Sequence, residues 1–242
     1  MKKNQSILSN GNEKNLPSND NYQNFNNFIF SNDIKIMGKL LHRFRHFLNV
    51  KELPGDIVEV GVFKGSGISS FMKFIEIFCP NSNKKVIGFD IFDVVESENV
   101  LKSDKDIDRE SMNIIYDRVN HNDLTLDSVT NNLTNTKISN DKFILVKGDV
   151  EKSIPTFLDE NPGFRISYLY IDVDIDRPTY FTLKYLWDRI LPGGVIIFDE
   201  FEYHKYSESN GVEKFLKEKG INFDLKSTDW IAPTAFMYKK GW

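Results

Sequence analysis

The feature that most constrains this 242-residue chain is a regular alternation between short apolar, β-branched runs and segments with helical periodicity. Runs of the first kind predict buried strands, and apolar residues at i, i+3 and i+4 spacing predict helices. Strands separated by helices pair in parallel, because a parallel connection needs a crossover. The sequence therefore predicts an open, doubly wound α/β sheet. Its first five strands are predicted at residues 57–62, 85–91, 143–149, 166–174 and 194–201.

Two further strands are predicted near the end of the sequence, at residues 222–228 and 234–238. They are joined by a short loop that contains Pro233, with no helical pattern between them. Strands joined this closely pair antiparallel. We therefore expect a seven-stranded, mostly parallel sheet with a C-terminal antiparallel hairpin.

Two regions depart from the alternation. Nine of the first 27 residues are Asn, and such a segment buries too little apolar area to offset its chain entropy. We predict a flexible, Asn-rich tail over residues 1–32 and one folded domain over residues 33–242. Inside that domain, the polar region 94–141 contains predicted helices near 109–119 and 126–133. An insertion of this length beside strand ends commonly covers a site, so we predict a cap or lid.

The charge balance argues against one class of partner. The chain has 31 Lys and Arg against 35 Asp and Glu, a net charge of −4. Proteins that bind nucleic acid usually carry clustered basic residues, so no nucleic-acid partner is expected. Cys79 is the single cysteine, which excludes an intrachain disulfide and a cysteine-based zinc site. The sequence shows neither a membrane span nor a signal peptide, so we expect a cytoplasmic protein without a membrane partner.

A glycine-rich turn follows the first strand and opens a helix, in the order Val58-Glu59-Val60-Gly61-Val62-Phe63-Lys64-Gly65-Ser66-Gly67. Backbone N–H groups in such a turn face a ligand. The spacing E-x-G-x-x-x-G-x-G differs from the dinucleotide motif and resembles that of S-adenosylmethionine (SAM) enzymes with this architecture. The alternative is that the glycines only permit a tight turn. The cofactor-binding candidates here are Glu59, Gly61, Gly65, Ser66 and Gly67.

The next two strands also end in acidic residues. Asp90 ends the second strand, where a carboxylate can accept the two hydroxyls of a ribose. Gly148 and Asp149 end the third strand, near the expected place of an adenine. Three consecutive strands thus carry glycine or acidic residues at one edge of the sheet. This coincidence supports a cofactor site more strongly than any single motif.

Carboxylates also follow the fourth and fifth strands, as Asp172 and Asp174 after one and Asp199 and Glu200 after the other. Neighbouring parallel strands would bring these groups together, and like charges repel unless a cation compensates them. Oxygen ligands suit Mg²⁺, Mn²⁺ or Ca²⁺. Asp174 shares a strand face with Asp172 and is a candidate general base. The alternative is that these are solvated loop acids, and we assign Asp176 to capping the next helix.

Together these motifs make the chain resemble the macrocin/novobiocin-type sugar O-methyltransferases, a SAM- and metal-dependent family with the class I methyltransferase fold. The resemblance implies that Asp172, Asp199 and Glu200 bind Mg²⁺ or another divalent cation and that Asp174 is the general base. It also implies a SAM site at the glycine turn, Asp90, Gly148 and Asp149. Two departures are Glu200, where the family has Asp, and Ser66, since the family's order is Gly-Gly-Ser. The resemblance covers about residues 35–240 and is carried by residues 54–65, 88–92, 172–174 and 191–201.

The expected function is metal-dependent O-methylation of a sugar hydroxyl, on a deoxyhexose, a nucleotide-linked sugar or a glycosylated metabolite. The resemblance further implies a homo-oligomer, a dimer or larger. One alternative is a nucleotide-sugar-binding or NAD-binding protein that transfers no methyl group. Another is an iron oxygenase, but its two His and one carboxylate are not found near the fourth and fifth strands.

Overall fold

The structure, a computed structural model, describes residues 19–101, 105–220 and 224–241. Two compact units divide the chain between Met37 and Gly38. The first unit contains helix α1 (Asn19–Ile29) and the start of α2 (Ile34–Val50), which continues into the second unit.

Helix α1 lies in the segment for which we expected no secondary structure. Its aromatic and aliphatic residues Tyr22, Phe25 and Ile29 recur at helical spacing, and Asp20 lies in its first turn. An acidic residue in the first turn favours a helix through the macrodipole. The Asn-rich composition hid this periodicity. Residues 1–18 lie outside the described part of the chain, so a flexible tail there stays a prediction.

The second unit contains a seven-stranded sheet in the order β3-β2-β1-β4-β5-β7-β6. Strands β1 to β5 run parallel, and β7 is antiparallel to both β5 and β6. The predicted seven-stranded sheet and its antiparallel end are confirmed. The strands are β1 (Asp56–Val60), β2 (Val86–Asp90), β3 (Phe143–Lys147), β4 (Ile166–Ile171), β5 (Ile190–Phe198), β6 (Lys226–Ser227) and β7 (Ala235–Tyr238).

Helices cover both faces of this sheet. The neighbouring residues Val86 and Ile87 of β2 join different buried clusters, because successive strand side chains point to opposite faces. Phe89 joins a buried cluster with residues of the helices that follow β3, β4 and β5. Ile57 and Tyr168 belong to a second cluster with α2 and α3. The helices after α2 are α3 (Ser66–Phe78), α4 (Val94–Leu101), α5 (Asp106–Tyr116), α6 (Leu126–Thr134), α7 (Val150–Glu160), α8 (Asp176–Leu186) and α9 (Glu208–Lys219).

The predicted insertion contains α4, α5 and α6, together with a 3₁₀ turn at His121–Leu124. Helix α4 was not predicted. Helices α5 and α6 start within three residues of the predicted positions, as expected from the accuracy of boundary assignment. Residues 102–104 of this region lie outside the described residues.

Several strand boundaries differ from the predictions. Strand β4 ends at Ile171, three residues before its predicted end, so Asp172 and Asp174 follow the strand and the expected shared strand face is wrong. Strand β5 begins at Ile190, four residues before the predicted start at residue 194. The pairing of β4 with β5 shifts register between Ile166 and Tyr168, which accommodates the two glycines of this stretch. The last predicted pair is shorter than expected, because β6 contains only Lys226 and Ser227; residues 221–223 lie outside the described residues.

Strand registers align the residues of the predicted site. Val60 pairs with Phe89 on one side and Ile171 on the other, and Ile171 pairs with Phe198. The residues that follow these paired positions are Gly61, Asp90, Asp172 and Asp199. They therefore lie side by side at the carboxyl edge, where the strand order reverses between β1 and β4 and where ligands bind in such sheets. Among the described residues, no helix is both long and apolar enough to cross a membrane.

Candidate active site

A lysine side chain lies between the carboxylates that follow β4 and β5. Lys39, on α2, places its Nζ 2.7 Å from Asp172 Oδ2 and 2.8 Å from Asp199 Oδ2. Burial lowers the pKa of Lys39, but the two carboxylates outweigh burial and raise this pKa above its ordinary value. Asp172 and Asp199 are thus brought together, as their strand positions predicted, and a cation from the protein itself bridges them.

Asp199 also interacts with the strand beside it. The Tyr170 hydroxyl donates a hydrogen bond to Asp199 Oδ1. Burial raises the pKa of Asp199, but Lys39 and the hydrogen bonds outweigh burial, so the net shift is downward. Asp199 is therefore held as a carboxylate although its side chain is only 2% exposed.

A second cation from α2 lies one helical turn beyond Lys39. Arg43 Nη2 lies 2.7 Å from Glu59 Oε1 and 3.8 Å from Asp172 Oδ2. Its guanidinium is 4.4 Å from the ring centre of Tyr170, a cation–π distance. The predicted cofactor residue Glu59 thus forms a buried ion pair, while its Oε2 is buried without a hydrogen-bond partner among the described residues.

Asp174, the predicted base, lies in a tight turn just after β4. Its φ of 62° is in the left-handed region, which Asp and Asn tolerate better than most residues. Burial raises the pKa of Asp174 well above its ordinary value, and Asp172, Asp199 and Glu200 raise it further. The carboxyl group is therefore a stronger base than a solvated aspartate.

A buried acid that we did not predict joins this group. Glu208, at the start of α9, accepts a hydrogen bond through Oε1 from the Glu200 N–H at 3.2 Å. Its own N–H donates to the Asp174 carbonyl oxygen at 3.1 Å. Glu208 Oε2 has no hydrogen-bond partner in the described part of the chain. Glu208 thus connects the loops that carry Asp174 and Glu200.

The glycine turn after β1 depends on its glycines for steric reasons. Gly61 has a φ of +89°, and a Cβ on it would lie 1.8 Å from the Asp172 carbonyl oxygen. Gly65 precedes α3 with a φ of +87°, while a Cβ on Gly67 would lie 1.8 Å from Glu59 Oε1. Ser66 is exposed in the first turn of α3, where amides without helical partners favour an anionic group. The glycines are therefore required for close packing, and the role of this turn in binding the cofactor stays a prediction.

Asp90 fixes the same turn from the neighbouring strand. Its Oδ2 accepts hydrogen bonds from the Val62 and Phe63 N–H groups at 2.8 and 2.9 Å, and its Oδ1 accepts from Phe92 N–H at 3.1 Å. A carboxylate has about four acceptor positions, so at most one remains. The predicted contact of Asp90 with both ribose hydroxyls is therefore restricted by its backbone contacts.

The two candidates after β3 have structural partners. Gly148 has a φ of +128° and donates its N–H to the Asp90 carbonyl oxygen. Asp149 caps α7 by accepting from the Glu151 N–H, and its Oδ2 lies 3.2 Å from Arg177 Nη1. The residues are at the predicted edge, but the Asp149 carboxylate already serves as a helix cap.

The cap that we assigned to Asp176 is displaced by one residue. Ile175 occupies the N-cap position of α8, and Asp176 is the first helical residue. Its carboxylate lies 2.9 Å from Lys105 Nζ, and its N–H donates to Ser207 Oγ. Asp176 therefore favours the helix from the first turn, where negative charge is stabilised by the macrodipole.

The divalent cation implied by the resemblance does not fit this arrangement. The Lys39 ammonium occupies the position between the Asp172 and Asp199 oxygens that would bind such a cation. Within the described ranges, no three His, Cys, Asp or Glu side chains are placed to hold a metal ion. The metal-binding role of Asp172, Asp199 and Glu200 stays a prediction.

The side chains that sequence reasoning missed are Lys39, Arg43, Tyr170 and Glu208. Lys39 and Arg43 are four residues apart, so they share one helix face, and this spacing was visible in the sequence. Nothing in the sequence indicates that this face points to the ends of β4 and β5. Glu208 follows a loop without a motif, so no local signal identifies it.

The fold is that of the class I methyltransferases. CalS11, a calicheamicin methyltransferase, has a similar structure, with a TM-score of 0.69 and 22% identity over 93% of this chain and 87% of that chain. The O-methyltransferase NovP gives 0.67 and 20% over 83% and 79%. An O-methyltransferase from Bacillus cereus in complex with S-adenosylhomocysteine (SAH) gives 0.53 and 13% over 90% and 96%.

The family model of the macrocin O-methyltransferases (TylF) matches residues 36–239. This match spans most of the chain, so the protein belongs to that family and is a SAM-dependent O-methyltransferase. Comparison with the curated proteins gives no match. Family membership decides between the two predicted functions in favour of methyl transfer over nucleotide-sugar or NAD binding alone.

Proposed function

We propose that this protein transfers the methyl group of SAM to a hydroxyl of a sugar-containing small molecule. The acceptor class is a deoxyhexose, a nucleotide-linked sugar or a glycosylated metabolite. The observation that carries the proposal is the row of Gly61, Asp90, Asp172 and Asp199 at the carboxyl edge, in a chain of the TylF family. One relative in fold, CalS11, is described as a TDP-rhamnose 3'-O-methyltransferase, which supports a nucleotide-linked deoxysugar as the first acceptor to test.

Asp174 is the proposed general base of this reaction. Its carboxylate takes the proton of the acceptor hydroxyl, the hydroxyl oxygen forms a bond to the methyl carbon, and the bond from that carbon to the sulfur breaks. SAM thereby becomes SAH, and its sulfonium loses its charge. The raised pKa of Asp174 supports this role, because a base acts best when its pKa approaches the working pH.

The cations of α2 have a supporting role in this proposal. Lys39 and Arg43 compensate part of the negative charge of Asp172, Asp199 and Glu59. Without them, this buried edge would repel an alkoxide that forms nearby. Metal binding by Asp172, Asp199 and Glu200 stays a prediction, because the Lys39 ammonium lies between the first two carboxylates.

Product formation with an Asp174→Asn variant tests the proposal. The purified protein is incubated with SAM and a panel of nucleotide-linked deoxyhexoses, with catechol as a non-sugar control. Mass spectrometry then detects the methylated product and SAH. Asn accepts the left-handed backbone at this position, so the variant should bind SAH normally while turnover falls by a factor of about 10² or more.

Asp176→Asn is the matched control, because it makes the same chemical change two residues away at a carboxylate that pairs with Lys105. Its turnover should equal that of the wild type. Undiminished turnover in Asp174→Asn would exclude Asp174 as the base. Methylation of catechol but of no sugar would contradict the acceptor class.

A further inference from the structure

Lys39 is placed where two carboxylates require a cation. It reaches from α2 to one oxygen of Asp172 and one of Asp199, at 2.7 and 2.8 Å. These are the lengths of charge-assisted hydrogen bonds. Its side chain is 25% exposed, so a path to solvent exists.

The surrounding charges favour retaining a cation at this position. The carboxyl groups of Asp174, Glu200 and Glu208 lie close enough to the pair to interact with it, and a cation between Asp172 and Asp199 limits their mutual repulsion. Arg43 is the other cation in contact, but its guanidinium is 2.7 Å from Glu59 and 3.8 Å from Asp172. Lys39 is therefore the group that compensates Asp199 directly.

An ammonium and a metal ion cannot share this position. Magnesium binds oxygen at about 2.0–2.1 Å and calcium at about 2.3–2.6 Å, so a metal that uses both oxygens would replace the Lys39 nitrogen. An ammonium and a metal ion that both contacted these oxygens would also repel each other strongly. The oxygens therefore bind either the ammonium or a metal.

We infer that Lys39 is the resident cation of the Asp172–Asp199 pair and that a divalent metal binds there only after the Lys39 side chain withdraws. The apparent affinity for a metal then equals the intrinsic affinity multiplied by the fraction of molecules in which Lys39 has withdrawn. When that fraction is about one tenth or less, the apparent affinity falls by a factor of about ten or more. Lys39 is thus a specificity-determining residue for the cation at this edge, whichever acceptor the protein methylates.

Titration with Mn²⁺, followed by electron paramagnetic resonance of the free ion, tests this inference independently of methyl transfer. The proteins compared are the wild type, Lys39→Met and the conservative variant Lys39→Arg. Lys39→Met should bind Mn²⁺ at least about tenfold more tightly than the wild type, and Lys39→Arg should resemble the wild type. Equal affinity of Lys39→Met and the wild type would overturn the inference, and so would an absence of Mn²⁺ binding by Lys39→Met.

Two further variants locate the effect. Lys39→Met combined with Asp199→Asn should lose the gain in affinity, and a retained gain would place the ion elsewhere and overturn the inference. Lys219→Met removes another paired lysine, 2.9 Å from Asp188, and should leave Mn²⁺ binding unchanged. Lys39→Gln replaces Lys39→Met when the latter does not fold. Because SAH binding is measured on the same samples, loss of the inferred cation role is distinguishable from failure of the proposed function.

Discussion

Replacement of Arg43 by Met tests whether the buried charges hold α2 against the sheet edge. The change removes the partner of Glu59, whose side chain is only 1% exposed. Loss of one partner of a buried ion pair costs about 3–5 kcal/mol, because the other charge stays buried without compensation. We expect a loss of this size in the free energy of unfolding at pH 8.

The loss should depend on pH in a defined direction. Burial raises the pKa of Glu59 from 4.5 to about 7, and Arg43 opposes this rise. An acid with a raised pKa in the folded state contributes stability that is fully present below its unfolded pKa and is lost as pH rises through the folded pKa. Without Arg43 this pKa rises further, so Arg43→Met should be less destabilised at pH 5 than at pH 8.

Urea unfolding at the two pH values measures both effects. Lys64→Met is the control, since Lys64 pairs with Asp123 at 2.8 Å with both side chains about 40% exposed, and such pairs contribute up to about 1 kcal/mol. Arg43→Met combined with Glu59→Gln should recover part of the loss, because no buried charge is then left without a partner. A loss below about 1 kcal/mol for Arg43→Met, or a loss independent of pH, would refute the reasoning.

Two further expectations concern stability. Gly61→Ala should lower the free energy of unfolding by more than about 2 kcal/mol and abolish SAH binding, because its Cβ would lie 1.8 Å from a carbonyl oxygen. Gly193→Ala is the control, since Gly193 has a φ of +83° but no atom within 4 Å of the new Cβ. This variant should cost only about 1–2 kcal/mol of backbone strain. Similar losses for the two variants in urea unfolding would contradict the steric argument. Burial lowers the pKa of His46 from 6.5 to about 4, so its contribution to stability is present above about pH 6.5 and is lost as pH falls through 4. Relative to His46→Gln, the wild type should lose about 3 kcal/mol over that interval, and parallel pH profiles would exclude this role for His46.

The arrangement of the sheet was predictable because its strands are short, apolar and separated by helices. Once β1, β2, β4 and β5 are parallel, the residues that follow them must meet at one edge, and Gly61, Asp90, Asp172 and Asp199 do so. The C-terminal pair was predictable from the short loop around Pro233. These inferences rest on backbone pairing, which depends little on side-chain detail.

The partners of those residues were not predictable in the same way. Whether Lys39 points to solvent or to Asp199 depends on how α2 packs on the sheet, and the spacing of Lys39 and Arg43 does not determine this. Asp90 and Asp149 were assigned to a cofactor by position alone. Their backbone contacts appear only when the turn after β1 and the start of α7 are folded.

Glu208 illustrates a further limit. It is buried beside Asp174 and Glu200 although it belongs to α9, after a polar loop. A charged residue at the start of a helix is normally interpreted as a favourable contact with the macrodipole. Only tertiary packing makes this one part of the site.

Calorimetric titration of the purified protein with SAH, and separately with NAD, tests the central claim most directly. We expect saturable binding of SAH, no heat of binding with NAD, and loss of the SAH signal in Gly61→Ala. Binding of NAD without binding of SAH would contradict the assignment of the carboxyl edge to SAM-dependent methyl transfer.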